Sequence, residues 1–395
     1  MELSASLARC RDLRPCPRIS TATVIGSVLA LFLSRLGSLN ALDQTRRNSF
    51  WVRWLNAPLP SADSLGRIMN LTEPEELRSI LQDLYSRLKR NKALDPTGYG
   101  LMAAAIDGHE SHASYRRCCS GCLQRRIKTK AGWRTQYYHR HVSIILLGAS
   151  FPLLLDLEPV VPGEDELGAA RRLLTRVLAL YPRAFDVVLG DALYADAKIF
   201  ALLQSKGKDV IAVLKGNQSD LLNEAKILLE EAPAKVEEDE VRWRELRDLD
   251  GFDWNGSGQV RVVRSREQRQ VKRQLDGQPE TLLSEWFWVT TCSPGRAPSQ
   301  AIAMLGHARW RIENEGFNEL VNRWRADHIY KHSQRAMLTF QLVAMVAYNL
   351  FHAFYWRQLR PRNPHCGDLQ HVARAAASVL YIEYIEPLLA TARGP

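Results

Sequence analysis

The sequence predicts an α/β protein with a mixed β-sheet, and three observations lead to this fold class. In the first hundred residues, apolar side chains recur at the spacing of amphipathic helices. From residue 101, short apolar runs rich in β-branched residues predict strands. Between residues 166 and 214, helical and strand-like segments alternate, which is typical of a parallel sheet. A chain of 395 residues, 46% of them hydrophobic, is long enough to bury the cores of two or three domains.

The N-terminal helical pattern is clearest between Pro74 and Lys92. Its apolar residues follow a period near 3.6 and share one face: Leu77, Ile80, Leu81, Leu84 and Leu88. Pro74 suits the first helical position, where its missing N–H costs nothing. The other face is expected to carry the basic residues Arg78, Arg87, Lys89, Arg90 and Lys92. Residues 1–95 are therefore predicted to form a small helical domain with one basic face.

The elements that follow are expected in a defined order. Three antiparallel strands are predicted at Leu101–Ile106, Tyr137–Leu147 and Phe151–Val161. A helix, a strand, a second helix and a second strand are expected next, at Glu166–Leu180, Phe185–Leu189, Ala197–Lys206 and Val210–Leu214. Together these elements make residues 96–216 the first part of a core domain.

Composition divides the remainder of the chain. Residues 217–283 are polar and rich in turn residues, which predicts a β-rich insertion. Short strands are expected at Val241–Leu246, Gln259–Ser265 and Glu285–Thr291. The core is expected to resume over residues 284–356, with one helix at Ser299–Trp324 and a helical cover after it. Residues 357–395 form a C-terminal appendix.

Charge and cysteine content bound the classes of function. A net charge of +10 and a pI near 9.3 favour an anionic partner such as nucleic acid, although charge alone also keeps proteins soluble. Seven cysteines at irregular positions do not make a disulfide framework, and this indicates a reducing cytoplasm. The apolar runs Ala22–Leu33 and Gln341–Trp356 are too short or too interrupted for a membrane span, and the second is expected to be a buried core helix.

Three carboxylates, far apart in sequence, have the placement that a two-metal site requires. Asp107 follows the apolar run Leu101–Ile106, and Asp191 follows a second apolar run after Phe185. Carboxylates at strand ends are where open α/β sheets place their chemistry. Glu313 falls on an apolar helical stripe, whereas Glu315 lies about 200° around the helix. Oxygen ligands of this kind suit hard divalent cations.

Structural roles are the alternative for each of these residues. Arg309 and Glu313 are spaced to form an i, i+4 ion pair on one helix. Strand-end aspartates commonly cap turns and helices, as Asp196 is expected to do before the helix Ala197–Lys206. The residue pattern by itself leaves both interpretations open.

The sequence motifs around the carboxylates resemble those of the DDE transposases of bacterial insertion sequences. The matching phrases are Ala105-Ile-Asp-Gly-His-Glu110, Leu189-Gly-Asp-Ala-Leu-Tyr-Ala195 and Arg309-Trp-Arg-Ile-Glu-Asn-Glu-Gly-Phe-Asn318. The resemblance covers roughly residues 100–350, in the family's order. Two positions depart from the family pattern: Gly306 stands where a tyrosine is usual, and Val321 where a lysine or arginine is usual.

The resemblance implies a ribonuclease-H-like core, interrupted by a β-strand insertion, that cleaves and joins DNA at the ends of its own element. It implies two Mg²⁺ (or Mn²⁺) ions, with Asp107 bridging them and Asp191 and Glu313 as terminal ligands. Arg309 would orient Glu313 or contact a phosphate. Double-stranded DNA is the implied partner, a homodimer the expected active complex, and residues 1–95 the region that binds the element's ends. The alternatives are a nuclease of this fold that does not join strands, and a domesticated DNA-binding protein with an idle site.

A second group of residues has metal-ligand spacing. Cys119 and Cys122 form half of a structural zinc motif, and His139 or His141, with Cys118, would complete four ligands. His109 and His112 are further candidates. The alternative is a set of reduced surface cysteines beside strand histidines.

Two clusters of basic residues are candidates for phosphate contacts. The first lies between the first two predicted strands, at Arg116, Arg117, Arg125, Arg126, Lys128, Lys130, Arg134 and Arg140. The second lies in the insertion, at Arg261, Arg264, Arg266, Arg269, Lys272 and Arg273. Trp133, Trp243 and Trp254 are expected to be available for stacking on bases.

Overall fold

The protein alternates helical and sheet regions along the chain. The structure, a computed structural model, describes residues 3–47, 50–130, 132–238, 242–254, 258–272 and 278–378. Six helices come first: α1 (Leu3–Arg9), α2 (Thr21–Leu33), α3 (Leu39–Gln44), α4 (Phe50–Leu55), α5 (Ala62–Met69) and α6 (Pro74–Arg90). The predicted helix at Pro74 is confirmed, with the proline in its first turn and Glu75 and Glu76 at its positive end.

Within the described residues, ten strands form one mixed sheet. They are β1 (Ala103–Ser114), β2 (Leu123–Thr129), β3 (Gly132–Leu147), β4 (Pro152–Pro159), β5 (Val187–Gly190), β6 (Asp209–Val213), β7 (Lys235–Glu238), β8 (Arg242–Asp253), β9 (Gln259–Lys272) and β10 (Pro279–Thr290). Their order is β2-β3-β1-β5-β6-β10-β9-β8-β7, and β4 pairs with β3. Strands β1, β5 and β6 are parallel to one another. The predicted mixed α/β fold is confirmed.

Helices cover both faces of this sheet. They are α7 (Glu166–Leu180), α8 (Ala197–Gln204), α9 (Ser219–Glu231), α10 (Ser299–Ala308), α11 (Asn318–Trp324), α12 (Gln334–Phe354) and a single turn, α13 (Arg360–Arg362). One apolar core joins α2, α5, α10 and α12 to the face of β1 that carries Ala103 and Ala105. The other joins α7, α8 and α9 to the face that carries Ala104 and Ile106. Because side chains alternate along a strand, Asp107 points to the α10–α12 face and Gly108 to the α7 face.

The N-terminal helices share a core with the rest of the chain. Helices α2 and α6 pack on α12, and α6 also contacts β4. Arg78 was expected on the solvent face of α6, but that prediction is wrong. Its side chain is buried and pairs with buried Asp156 of β4 (Nε–Oδ1 3.0 Å), which Arg176 of α7 also contacts. The ion pairs offset the cost of burying these charges, and they join α6, β4 and α7.

The strand bounds differ from the predicted ones in two places that affect the site. Strand β1 continues through Asp107 to Ser114, whereas the sequence predicted an end at Ile106. Strand β2 was not predicted; it forms a hairpin with the first half of β3. The added residues of β1 and the strand β2 both pair with β3 in antiparallel register. The polar residues beyond Ile106 therefore lie on a strand that pairs with β3, with one irregularity in register between Glu110 and His112.

The predicted insertion is built as a continuation of the sheet. Strand β10 pairs with β6 at Trp288–Val213 and with β9 along its full length, so it crosses the expected boundary at residue 283. Helix α9 was also missed, although its residues have an amphipathic pattern. Residues 239–241, 255–257, 273–277 and 379–395 lie outside the described residues, together with the predictions that fall on them.

The predicted single helix Ser299–Trp324 is interrupted. Helix α10 ends at Ala308, residues Ile312–Phe317 are π-helical, and α11 follows at Asn318. The Asn318 N–H donates to the Glu313 carbonyl, five residues back, which marks the wider turn. Such π-helical turns often occur at functional sites. A sequence periodicity of 3.6 cannot reveal an extra residue in one turn.

Helix α12 fills the centre of the protein. The stretch Gln334–Arg362 is long and apolar enough to span a membrane, but 67% of its most apolar window is buried inside the protein. Asn349, in its middle, is buried and pairs with both backbone groups of Leu154 in β4. The expectation of a buried core helix at Gln341–Trp356 is confirmed for α12.

Candidate active site

The two aspartates occupy equivalent positions on neighbouring parallel strands. Ala105 of β1 pairs with Leu189 of β5, so Asp107 and Asp191 each lie two residues beyond this pair. The parallel pairing therefore brings together residues that are far apart in sequence. Asp191 also accepts a hydrogen bond from the Leu193 N–H (2.8 Å), so it caps the short helical turn that follows β5.

Arg309 joins the third carboxylate to the first. Its Nη1 donates both to Asp107 Oδ2 (3.1 Å) and to Glu313 Oε1 (3.1 Å). The Arg309 side chain is only 7% exposed, whereas that of Glu313 is 39% exposed. The i, i+4 ion pair therefore exists, and it also ties the π-helical segment to β1. Arg309 is placed to orient the two carboxylates, and its burial keeps it from contacting a phosphate in this conformation.

Glu315 faces away from Asp107, as its position on the helix predicted. Arg311 binds it through Nε and Nη2 at 2.9 Å each, and Arg311 also donates to the Gly148 carbonyl. The Glu315 carbonyl accepts from the Tyr348 hydroxyl of α12 (2.7 Å). The choice of Glu313 over Glu315 as the residue facing Asp107 agrees with this geometry.

The carboxylates raise the pKa of Asp107. Burial, and then the negative charges of Asp191 and Glu313, raise the pKa of Asp107 to about 6. The Gly108 N–H and Arg309 oppose this shift by stabilising the ionised form. Because these neighbouring acids disfavour one another's ionisation, a divalent cation would stabilise their ionised forms. The donor set of three carboxylates therefore fits the hard-metal ligation that the family implies.

A fourth carboxylate, Glu166, lies beside Gly108. A Cβ on Gly108 would lie 2.4 Å from the Glu166 carboxyl atoms, so glycine is required here for close packing. Tyr194 donates to Glu166 Oε1 (2.9 Å) and Arg140 pairs with its Oε2 (2.8 Å). Sequence reasoning missed Glu166 because it follows the helix cap Asp165 and resembles an ordinary first-turn acid.

The two departures from the family pattern have structural explanations. A Cβ on Gly306 would lie 2.2 Å from Trp288 Nε1, so the Trp288 indole of β10 fills the space that a larger residue would need. Val321 lines a small cavity with His109, His141 and Phe317, where a charged side chain would be poorly solvated. Neither position touches Asp107, Asp191 or Glu313 in the contacts described.

The comparisons with known proteins identify the family. A family model described as the transposase DDE domain matches residues 103–350, which is more than half of the chain. The chain belongs to the DDE transposases. A comparison with curated proteins gives no match. The match begins at the first residue of β1 and ends within α12, so it spans Asp107, Asp191, Arg309 and Glu313 of this transposase. Divalent metals and DNA binding are general properties of the family.

The transposase also brings cysteines and histidines together at the β2–β3 hairpin. Cys119, Cys122, His139 and His332 each offer a ligand atom, and these atoms all lie within 4.8 Å of one another. His332, which precedes α12, was not predicted. It lies nearly two hundred residues after His139 in the sequence, and a lone histidine at that separation gives no sequence signal. Four predicted candidates do not belong to the group: Cys118, His109, His112 and His141. Cys118 is exposed, and His141 packs against His109 and Phe317. His112 packs against His332, with 6.0 Å between the ring centroids.

The basic residues of the hairpin are all exposed, and two of them form ion pairs. Arg125 pairs with Glu110, and Arg140 pairs with Glu166. The other six are Arg116, Arg117, Arg126, Lys128, Lys130 and Arg134. Trp133 is 61% exposed, and Arg126 lies over its ring at 5.5 Å. These six residues, with Trp133, are called the basic hairpin below.

In the basic cluster of the insertion, the predicted accessibility of Arg261 and Arg264 is wrong. Arg261 and Arg264 are each 1% exposed and form ion pairs with Asp248 and Glu230, respectively. Arg266 pairs with Glu230 and Glu285, while Arg269 is exposed. Trp254 is buried too, against Phe200 (4.8 Å between centroids). Because side chains alternate along a strand, Arg261 and Arg264 lie on opposite faces of β9, and acids from neighbouring elements neutralise the buried arginine on each face.

Lys272 and Arg273, the other two members of that cluster, are not described: the side chain of Lys272 and the whole of Arg273 lie outside the described residues. Trp243 of β8 is half-buried.

Proposed function

We propose that this transposase performs metal-dependent cleavage and strand transfer of DNA at the ends of an insertion sequence, with Asp107, Asp191 and Glu313 as its catalytic carboxylates. The observation that carries the proposal is the meeting of all three segments: strand pairing places Asp107 beside Asp191, and Arg309 joins Asp107 to Glu313 on the π-helical turn. Phosphoryl transfer asks for positioning and charge neutralisation more than for covalent chemistry by the protein.

The three carboxylates would hold Mg²⁺ or Mn²⁺. When bound, such ions supply Lewis-acid stabilisation of the attacking and leaving oxygens. In this proposal Asp107, Asp191 and Glu313 would together hold the ions. Arg309 is a positioning residue: it holds the Glu313 carboxylate towards Asp107 and lowers the cost of bringing the two negative charges together.

Single substitutions test the catalytic assignment. Asp107→Asn, Asp191→Asn and Glu313→Gln should each slow strand cleavage by at least about 100-fold, equivalent to about 2.7 kcal/mol of lost transition-state stabilisation. Glu315→Gln is the matched control, because Glu315 lies on the same segment but pairs with Arg311. Cleavage and gel-shift assays on the same proteins separate chemistry from DNA binding. The assignment fails if Glu315→Gln is as inactive as Glu313→Gln, or if binding is lost in parallel with cleavage.

A joining assay decides between the transposase and nuclease activities. Purified protein with labelled element ends and supercoiled target DNA should give joined products that depend on a free 3′-hydroxyl. Cleavage without any joined product would instead favour a nuclease that uses the same site. Intact binding without either reaction would favour a domesticated DNA-binding protein.

The basic hairpin is the proposed phosphate-contacting surface of the core. Its side chains extend from a two-stranded ribbon beside the site and offer charge without a helix for base reading. Replacing Arg126, Lys128 and Arg134 by glutamine should weaken binding equally on terminal and random DNA. The slope of log K against log salt should fall by about 2–3 units, roughly 0.9 for each lost contact. Lys226→Gln, an exposed lysine on α9, is the control; an unchanged slope in the triple variant would exclude the hairpin.

Residues 1–95 are proposed to recognise the element's ends. Arg78 is buried and so does not belong to this surface. The exposed basic residues of α6 and of the turn after it include Lys89, Arg90 and Lys92. Deleting the region would uncover the core that α2 and α6 share with α12, so point substitutions test it better. Arg90→Gln with Lys92→Gln should reduce the preference for terminal over random DNA. An unchanged preference would place recognition elsewhere.

A homodimer is proposed for the active complex, because an element has two ends and each needs a site. Light scattering on the protein with and without terminal DNA tests this expectation; a strictly monomeric complex that still joins both ends would contradict it.

A further inference from the structure

The Cys/His cluster has the ligand geometry of a tetrahedral zinc site. With Zn–S near 2.3 Å and Zn–N near 2.0–2.1 Å, tetrahedral ligands lie about 3.8 Å apart for two sulfurs and about 3.6 Å apart for sulfur and nitrogen. The Cys119 and Cys122 sulfurs are 3.8 Å apart. His139 Nε2 lies 3.5 and 3.2 Å from them, and His332 Nε2 lies 3.6 Å from Cys122 Sγ. Four side chains from three separate segments thus surround one point at the required spacing.

The surroundings of the cluster are built for close packing. The Cys119–Cys122 turn is closed by a hydrogen bond from the Cys122 N–H to the Cys119 carbonyl (3.1 Å). The Cys119 N–H donates to Cys122 Sγ (3.2 Å), which would stabilise negative charge on that sulfur. A Cβ on Gly121 would lie 2.9 Å from the Gln334 side chain, so glycine lets the turn rest on the start of α12. Cys122 and His139 are buried, so the point between the ligands is largely shielded from water.

We propose that Cys119, Cys122, His139 and His332 bind one structural Zn²⁺ ion. The set contains two thiols and two imidazoles and uses four protein ligands, which is typical of closed, structural zinc sites. It is separate from the proposed Mg²⁺ site, whose ligands are carboxylates. Softer sulfur and nitrogen donors select zinc over magnesium, so the two metals would not exchange.

The position of the ligands indicates what the ion would do. Cys119 and Cys122 precede β2, His139 lies on β3, and His332 lies between α11 and α12. One ion would therefore fasten the base of the basic hairpin to the segment that follows the Glu313 turn. A hairpin fixed in this way would lose less conformational entropy when it binds DNA. The proposal thus predicts that the metal affects DNA affinity as well as stability.

Metal analysis of the purified full-length protein is the direct test. About one zinc per chain is expected, retained after dialysis against a weak chelator. Cys119→Ser, Cys122→Ser and His332→Asn should each lose it, whereas Cys118→Ser and His328→Asn should keep it. Cys118 and His328 are matched controls because both are exposed and lie near the cluster without joining it. Zinc that persists in the ligand variants, or is absent from the wild type, would overturn the proposal.

Cobalt substitution of the wild-type protein gives a second readout that does not depend on the variants folding. Co²⁺ in a two-thiolate, two-imidazole tetrahedral site should show thiolate charge-transfer absorption and intense visible bands. Mass spectrometry of the native protein should find Cys119 and Cys122 protected from alkylation in the presence of metal and reactive after chelation. A Cys119–Cys122 disulfide, or free reactivity of both thiols before chelation, would refute the assignment.

Discussion

Replacing Asp107 by asparagine should stabilise the metal-free protein at neutral pH while abolishing cleavage. The pKa of Asp107 is raised from 3.8 to about 6, first by burial and then by the charge of Asp191. The folded state therefore holds this proton more tightly than the unfolded state does. The stability that protonated Asp107 contributes to the folded state is complete below pH ~4 and is lost as pH rises through about 6. At pH 7–8 Asp107 is ionised, and the full cost of ionising it in the folded state lowers the stability of the protein.

The magnitude follows from the shift. About two pKa units correspond to about 3 kcal/mol at 1.36 kcal/mol per unit. Asparagine carries no charge and so avoids this penalty, but its hydrogen bond to Arg309 Nη1 is weaker than that of the carboxylate. A net gain of about 1–2 kcal/mol remains, which should raise the melting temperature by roughly 1–2 °C for a chain of this size.

Thermal melts of wild type and Asp107→Asn in EDTA, at pH 5 and pH 8, measure the effect. The gain should be present at pH 8 and much smaller at pH 5. Saturating Mg²⁺ should stabilise the wild type and have little effect on the variant, because one of the three carboxylates is gone. Glu315→Gln should not reproduce the gain. The electrostatic reasoning would be refuted if Asp107→Asn were stabilised equally at both pH values. It would also be refuted if Mg²⁺ stabilised the variant as strongly as it stabilises the wild type.

Two further substitutions test the packing around the site. Gly306→Ala should destabilise the protein by about 1–3 kcal/mol, since its Cβ would meet Trp288, while Gly295→Ala, with open space around it, should be nearly neutral in the same melt. Arg264→Gln should lower the melting temperature, because it removes a buried ion-pair partner of Glu230 and Glu245, and should leave the salt dependence of DNA binding unchanged. A neutral Gly306→Ala, or a flattened salt dependence in Arg264→Gln, would contradict these assignments.

Local patterns determined much of the fold. The bounds of α7 agree with the predicted Glu166–Leu180, because an N-cap aspartate and a regular apolar stripe define both its start and its face. Asp196 caps α8 as expected, accepting from the N–H groups of Lys198 and Ile199. The choice of Glu313 over Glu315 also came from helical geometry and agrees with the contacts of both residues. In each case the information lies within a few neighbouring residues.

Tertiary structure decided what depends on partners from elsewhere in the chain. The sequence of β9 is that of an ordinary basic segment, yet two of its arginines are buried and form ion pairs with Asp248 and Glu230. His332 joins Cys119 and Cys122 only because α12 packs beside the β2–β3 hairpin. Glu166 reaches Gly108 only because α7 packs on β3 and β4, beside β1. The sequence by itself determined which three carboxylates are the catalytic candidates and the periodicity that forms each element. Only packing, which depends on the shape and charge of distant segments, decided which charges are free for DNA and which are neutralised inside the protein.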